Sequence, residues 1–361
     1  MKILVSAGLH TRVNCPVFVP AAKPAYDRFA LRTPGGERLP AQYTEQDGVG
    51  GILFLLPWLR AGESLTLRVV KAAGRTPACA SVACEDRVSI RLFGRERCGY
   101  YFGRDLAKPY LGPFFDRYGS QITRLDLKTA EHPHHRCFWF SHGSVNGVDT
   151  WNEPEDHGYI RNESVEAVEN GDVFTAFAVR NVWTDHDGKP LCHDLTRIRF
   201  YAMPDGNTVA DVSLTLFADC GDVVLGRTKE AGPVAVRMNH NLTVKPGTGR
   251  FENGCGGINE DEIWMKRAPW CDYYGTEKGH LCGFAILDNP ENEGHPCYWH
   301  ARDYGLMAPN NFYIPGDRRI PAGESMTFRY RLVAHSGNTR DAGIAARFAD
   351  YAAPPAAVCE E

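Results

Sequence analysis

"ESVEAVENGDVFTAFAVRNVW" occupies residues 163–183. Apolar and polar side chains alternate through both halves, and "ENGD" interrupts them midway. A period of two sends successive side chains to opposite faces of an extended chain, and Asn-Gly is a strong hairpin signal. The stretch therefore predicts two antiparallel strands. Similar runs recur in "VSIRLF" (88–93), "HDLTRIRFYAM" (193–203), "TVADVSLTLFA" (208–218), "VAVRMNHNLTV" (234–244), "LCGFAILD" (281–288) and "SMTFRYRLVAHS" (325–336). Many long alternating strands with few helices pack as antiparallel sheets, face to face. Over residues 86–337 the natural architecture is a large supersandwich, and polar side chains on a concave sheet face can line a cleft.

Outward from this core the pattern changes. "AYDRFALRT" (25–33), "GILFLLPWL" (51–59) and "SLTLRVVKA" (64–72) are shorter strands, separated by the turn clusters "TPGGERLP" and "RAGES". They predict a small immunoglobulin-like β-sandwich over residues 1–85, with Met1–Val5 as its first strand and "AAGRTPACASVACED" (72–86) as the boundary. Residues 338–361 read as a short C-terminal helix and tail, with Asn338 as a cap. The expected fold class is thus all-β.

Composition narrows the partners. The 361 residues are 43% hydrophobic and 23% charged, an ordinary globular balance. The net charge is −4 and no basic block occurs, so no nucleic-acid partner is expected. The longest apolar runs are too short to cross a bilayer, so no membrane partner is expected either. Lys2 is followed by only a few apolar residues before His10 and Arg12, which argues against an export signal and for a cytoplasmic location. Twelve cysteines form no C-x-x-C pair, so they read as reduced, mostly buried thiols; Cys79–Cys84 is the one candidate disulfide. No G-x-G-x-x-G opens a helix and no G-x-S-x-G elbow occurs.

Reactive and aromatic groups concentrate in a few segments. "EHPHHRCFWFSHGSVNGVDTW" (131–151) holds four histidines. His132 and His134 share a face if extended, His135 points the other way, and His142 returns after a turn. Imidazoles titrate near neutrality and suit acid or base chemistry. A metal held by His132, His134 or His142 is a separate reading, which needs three or four converging ligands; no other cofactor is expected. In "TKEAGPVAVR" (228–237), Glu230 is a candidate acid, base or nucleophile and Lys229 a charge beside it; the bland alternative is an exposed charged turn. Trp264, Lys266, Arg267, Trp270 and Asp272 combine rings that stack on sugars with groups that bind hydroxyls, or else are core tryptophans with surface charges. In "WHARDYG" (299–305), His300 and Arg302 alternate onto one strand face, where Arg302 could fix a carboxylate or keto oxygen. Asp149 and Glu153 form a carboxylate pair or cap turns.

"YFGRDLAKPYLGPFF" (101–115), the histidine-rich segment, "TKEAGPVAVR", "WMKRAPWCDYYG" (264–275) and "HPCYWHARDYGL" (295–306) together resemble the motifs of the DUF6807 family, in order, over about residues 95–335. Two departures stand out: "TKEAG" lacks an expected second glycine, and Met265 stands where glycine is expected. The family carries the label "methane oxygenase PmoA-like". Its occurrence beside sugar-degrading enzymes and glucose–fructose-type oxidoreductases implies carbohydrate chemistry on a galactose-mutarotase-like supersandwich. The resulting expectation is an enzyme acting on a sugar or oxidised glycoside through hydrolysis, elimination or epimerisation. Its catalytic residues would be His134, His142, Glu230 and His300. His135, Trp151, Lys229, Lys266, Arg267, Trp270, Asp272 and Arg302 would bind the substrate. The alternatives are a non-catalytic carbohydrate-binding protein and a metal-dependent oxygenase.

Overall fold

The computed structural model describes residues 1–74, 76–125 and 131–360. Strands dominate, with two short α-helices among the described residues, Asn259–Ile263 and Ile344–Ala352. Two eight-stranded antiparallel sheets pack face to face. In the front sheet the order is Trp299–Arg302, Leu306–Pro309, Val234–Arg237, Phe138–Phe140, Tyr110–Gly112, Arg95–Tyr101, Arg87–Leu92 and Cys79–Ala83. The back sheet runs Tyr159–Glu169, Phe174–Thr184, Pro190–Tyr201, Thr208–Phe217, Ser325–Ser336, His280–Asp288, Trp270–Glu277 and Arg250–Asn253. The stretch 163–183 is indeed a hairpin, and its strands lie at one edge of the back sheet.

Alternation decides what each sheet buries. Phe138, Phe140, Val234, Val236, Met307 and Trp299 point inward from the front sheet. They meet Phe177, Val179, Ile198, Leu214, Phe284 and Leu332 of the back sheet in one core. Residues of opposite parity leave each sheet on its outer face, and the two outer faces have different fates. On the back sheet, Phe174, Tyr201, Val209, Trp270, Leu287 and Val333 form a second cluster with Leu53 and with Ile344 of the C-terminal helix. The N-terminal domain and the helix therefore cover this face. The front sheet's outer face carries a separate cluster of Tyr110, Trp139, Trp151, Ala235, Leu306 and Ala308. Leu106, Leu125 and Tyr304 pack against it.

The N-terminal domain is a single seven-stranded sheet curled on its own core of Ile3, Val5, Val17, Leu31, Ile52, Phe54 and Leu67. Its boundaries differ from those expected. Cys79–Ala83 belongs to the front sheet, pairing with Arg87–Leu92, so the domain ends before residue 79 rather than at 85. The tail is not separate, because Ala356–Glu360 pairs with Lys2–Ser6 as an edge strand of the first domain. Asn338 caps the turn before the helix through the amides of Arg340 and Asp341, and the helix itself starts after Gly343. The run 234–244 yields a strand only to Arg237, because Asn239 then caps a 3-10 turn, His240–Leu242. All twelve cysteines are free thiols, eight of them buried.

Candidate active site

The front sheet's register lays out the site. Tyr101, Tyr110, Trp139 and Ala235 are successive partners across four strands, and His300 pairs with Ala308 on the last two. Val236 pairs with Met307, so Ala308 lies beside Ala235 and the row continues to His300. One step along, Arg237 pairs with Leu306 and Leu306 with Arg302. Directly paired residues share a face, and so do residues two apart. His300 and Arg302 therefore stand on the outer face, as their spacing predicts, with Arg237 and Trp139. At one strand spacing per step, Trp139 and His300 are about 14 Å apart along the sheet.

The "EHPHHR" segment closes over this row as a turn, not a strand. His132 adopts a left-handed φ of 49° and its carbonyl accepts the amide of His135 at 3.0 Å. His132 and His134 would share a face only if the segment were extended, and it is the loop that Pro133 favours. Instead, four rings pile up: Tyr304 on His132, His132 on His135, and His135 on Trp139, with centroids 4.9–5.0 Å apart and planes within 16°. Arg124 anchors the turn from beneath by donating to the carbonyls of Glu131, His132 and His135. Arg237, fully buried, lies 4.5 Å from the Tyr304 ring, donates to Glu131 at 2.8 Å and faces His135 Nδ1 at 3.1 Å. A guanidinium can only donate, so His135 Nδ1 is the acceptor and the ring is neutral. Burial, reinforced by the nearby His134 and Arg237, pushes the His135 pKa well below the usual imidazole range.

A second cationic group holds the other side. Lys108 is buried and donates to Glu153 at 2.6 Å and to the Trp151 carbonyl at 2.8 Å. Arg136 grips both oxygens of the same carboxylate. Burial lowers the Lys108 pKa to about 8, with Glu153 opposing the shift. Burial alone would raise Glu153, but its bonds to Arg136 and the charge of Lys108 outweigh that and hold it at about 2. His134 sits half-buried against this cluster. Burial, and then the Lys108 charge, lower its pKa to about 4, and its Nε2 has no hydrogen-bond partner.

At the far end stands His300, 4% exposed, with a pKa lowered to about 3 by burial and by Arg302. Its Nδ1 is buried and has no hydrogen-bond partner. Glu230 follows Lys229; its carboxylate accepts from Thr228 at 3.0 Å and lies 3.4 Å from the Lys229 ammonium. Tyr304, two residues beyond Arg302 and stacked on His132, links this end of the site to the histidine turn. Arg302 pairs with Glu260 at 3.0 Å and lies 5.7 Å from the Trp264 ring. The glycines of two motifs serve this loop. Gly143 donates to the Glu230 carbonyl at 2.7 Å. A Cβ on Gly232, at φ 108°, would run into the Pro309 carbonyl. Met265 takes φ 50°, a left-handed conformation natural for the glycine expected there.

The structure thus gathers His134, His135, Trp151, Lys229, Glu230, His300 and Arg302 around one sheet face. It does not bring the others there. His142 is buried beside Phe312 and donates Nε2 to the Gly226 carbonyl at 2.9 Å, so it is scaffolding for the loop that leads to Glu230. Trp270 and Asp272 leave the back sheet on its covered face, on the opposite side of the sandwich. Asp272 there bonds His335 at 2.8 Å, both fully buried. Arg267 clamps the carbonyls of Gly294 and Pro296, and Lys266 reaches only the Asp261 carbonyl. Asp149 caps the amides of Trp151 and Asn152. His132, His134 and His142 do not converge as metal ligands; among the described residues, the one group with that geometry is His193, Asp219 and Cys220. Sequence reasoning missed Lys108, Arg124, Arg136, Trp139, Arg237 and Tyr304. Arg237 was within reach, because period two puts it on the face opposite Val234 and Val236.

The fold and this face define an antiparallel supersandwich whose outer front sheet carries a cluster of neutral imidazoles, guanidinium groups and aromatic rings. The chain belongs to the DUF6807 family, a family of unknown function, whose profile matches residues 87–349. No curated protein matches it. Among solved structures it is similar to an alpha-galactosidase from Lactobacillus brevis, at 9% identity and a TM-score of 0.35, over 72% of this chain and 39% of that one. It is also similar to a galactose 1-epimerase from Lactobacillus acidophilus NCFM, at 7% identity and a TM-score of 0.30, over 73% of this chain and 100% of that one. No helix is long and apolar enough to cross a membrane among the described residues.

Proposed function

We propose that the chain is a carbohydrate-active enzyme. It seats a sugar or oxidised glycoside on the outer face of the front sheet and acts by proton transfer, in glycosidic cleavage by hydrolysis or elimination, or in epimerisation. One observation carries this reading: His134 Nε2 and His300 Nδ1 are buried imidazole nitrogens on one face, and neither has a protein partner. An unpartnered buried polar atom costs about 1–3 kcal/mol, which a ligand hydrogen-bonded to it on this face would offset. Both rings are held neutral, so they meet a substrate as hydrogen-bond acceptors, and a substrate that excludes water or brings negative charge would have to raise their basicity before they take its proton. Glu230, beside Lys229 and within reach of solvent, is the partner for the second transfer. Arg302 and Lys229 supply positive charge for a developing oxyanion. Tyr304 and Trp264 offer ring faces to the sugar.

The test is turnover of a panel of glycosides and their oxidised counterparts by His300→Ala and Glu230→Gln. Each variant should lose roughly 10²–10⁴-fold in kcat while keeping a wild-type melting curve. Wild-type rates in both would refute the assignment. Binding by the wild type with no turnover of any panel member would select a non-catalytic sugar-binding protein instead.

A further inference from the structure

We infer that His193, Asp219 and Cys220 form a site for a zinc-class divalent ion, away from the sheet-face site. His193 lies in the strand Pro190–Tyr201 and pairs with Phe217, two residues before Asp219. The turn after Thr208–Phe217 thus returns Asp219 and Cys220 to the imidazole. His193 Nδ1 is 2.9 Å from Asp219 Oδ2 and 3.9 Å from Cys220 Sγ, and Sγ is 3.6 Å from Asp219 Oδ1. Bonds of about 2.0–2.3 Å to a tetrahedral zinc imply ligand-to-ligand edges of roughly 3.3–3.6 Å. These separations are within a few tenths of an ångström of such edges, with Asp219 turning Oδ2 to the imidazole and Oδ1 to the thiol, and one ligand atom from each residue lies within 4.8 Å of the others. Imidazole, thiolate and carboxylate together favour zinc or cobalt over magnesium or calcium.

The surroundings fit as well. Glu163 Oε1 lies 3.9 Å from Nε2, the other nitrogen of the His193 ring, where a carboxylate orients a metal-bound imidazole. Asp219 and Cys220 are exposed, so the fourth position opens to solvent and the ion can exchange. The bound ion would staple the turn to the strand. Asp222 and Val224, just beyond, are hydrogen-bonded to Asn146, and the chain then continues through Gly226 to Glu230.

Titration of reduced, metal-free protein with Co²⁺ tests this. The expected result is one equivalent bound with a thiolate-to-cobalt charge-transfer band. That band should vanish in Cys220→Ser and persist in Cys84→Ser, Cys255→Ser and Cys359→Ser, the other exposed thiols. His193→Gln should weaken binding by more than about 100-fold. Zn²⁺ should raise the melting temperature of the wild type and not of Cys220→Ser. Absence of the band, or its survival in Cys220→Ser, would overturn the assignment.

Discussion

His142 and His300 are almost sealed from water, and that sets their charge. A buried imidazole gains nothing from solvent when protonated, so its neutral form prevails. The pKa values of about 4 for His142 and about 3 for His300 lie below the unfolded value near 6.5. Between pH 6.5 and about 4 the unfolded chain binds protons that the folded chain refuses, so this contribution is complete above 6.5 and is lost on acidification. For His142 alone the loss is about 2 kcal/mol at pH 5. Glu153 does not offset it there, because its contribution is retained above about 4.5 and lost only as pH falls toward 2. Melting temperature should therefore fall clearly from pH 7.5 to pH 5; a flat profile would show that these rings are not held neutral. None of this was legible from the histidine spacing. Four imidazoles in eleven residues marked the region and Pro133 pointed to a loop, but not to the left-handed turn at His132 that sets where each ring goes. The ring resting on Trp139 is accordingly His135.

At the scale of elements, alternation carried most of the information. It gave six of the eight strands of the back sheet, missing Trp270–Glu277 and Arg250–Asn253, and it aimed His300 and Arg302 at one face. It could not give sheet order. Trp270 and Asp272 were read only as members of a motif; they sit on the strand Trp270–Glu277, in the sheet that does not carry the site, and nothing local distinguishes one outer face from the other. The Glu230 loop is the element on which the proposed chemistry leans most. Gly232→Ala places a methyl group against the Pro309 carbonyl in a backbone conformation that favours glycine. It should cost about 1–3 kcal/mol and lower kcat through displacement of Glu230. A variant with unchanged stability and rate would show that the loop is looser than its packing implies.

Across the whole molecule, the two outer faces of the sandwich divide the labour. The back face is stability: the N-terminal domain and the helix Ile344–Ala352 bury Trp270 there with Phe174, Leu287 and Val333. Trp270→Ala should destabilise the protein by about 3–5 kcal/mol. The surviving folded protein should bind sugar with wild-type affinity, and a selective loss of affinity would return Trp270 to the site. This division was hidden in the sequence because it depends on contacts between segments far apart. The edge strand Ala356–Glu360, for example, finds its partner Lys2–Ser6 at the opposite end of the chain.

The front-sheet face has a rival as the place for a ligand. A cavity of about 980 Å³ lies between the domains, lined by Leu39, Leu55, Pro57, Phe93 and Met203, and it is mostly apolar. The front-sheet face is polar and bears the unpartnered imidazoles. A crystal structure with a bound glycoside decides between them. The account predicts a sugar ring hydrogen-bonded to His300 Nδ1 and Glu230, beside Tyr304. A sugar seated in the interdomain cavity, with His300 and Glu230 untouched, would contradict it.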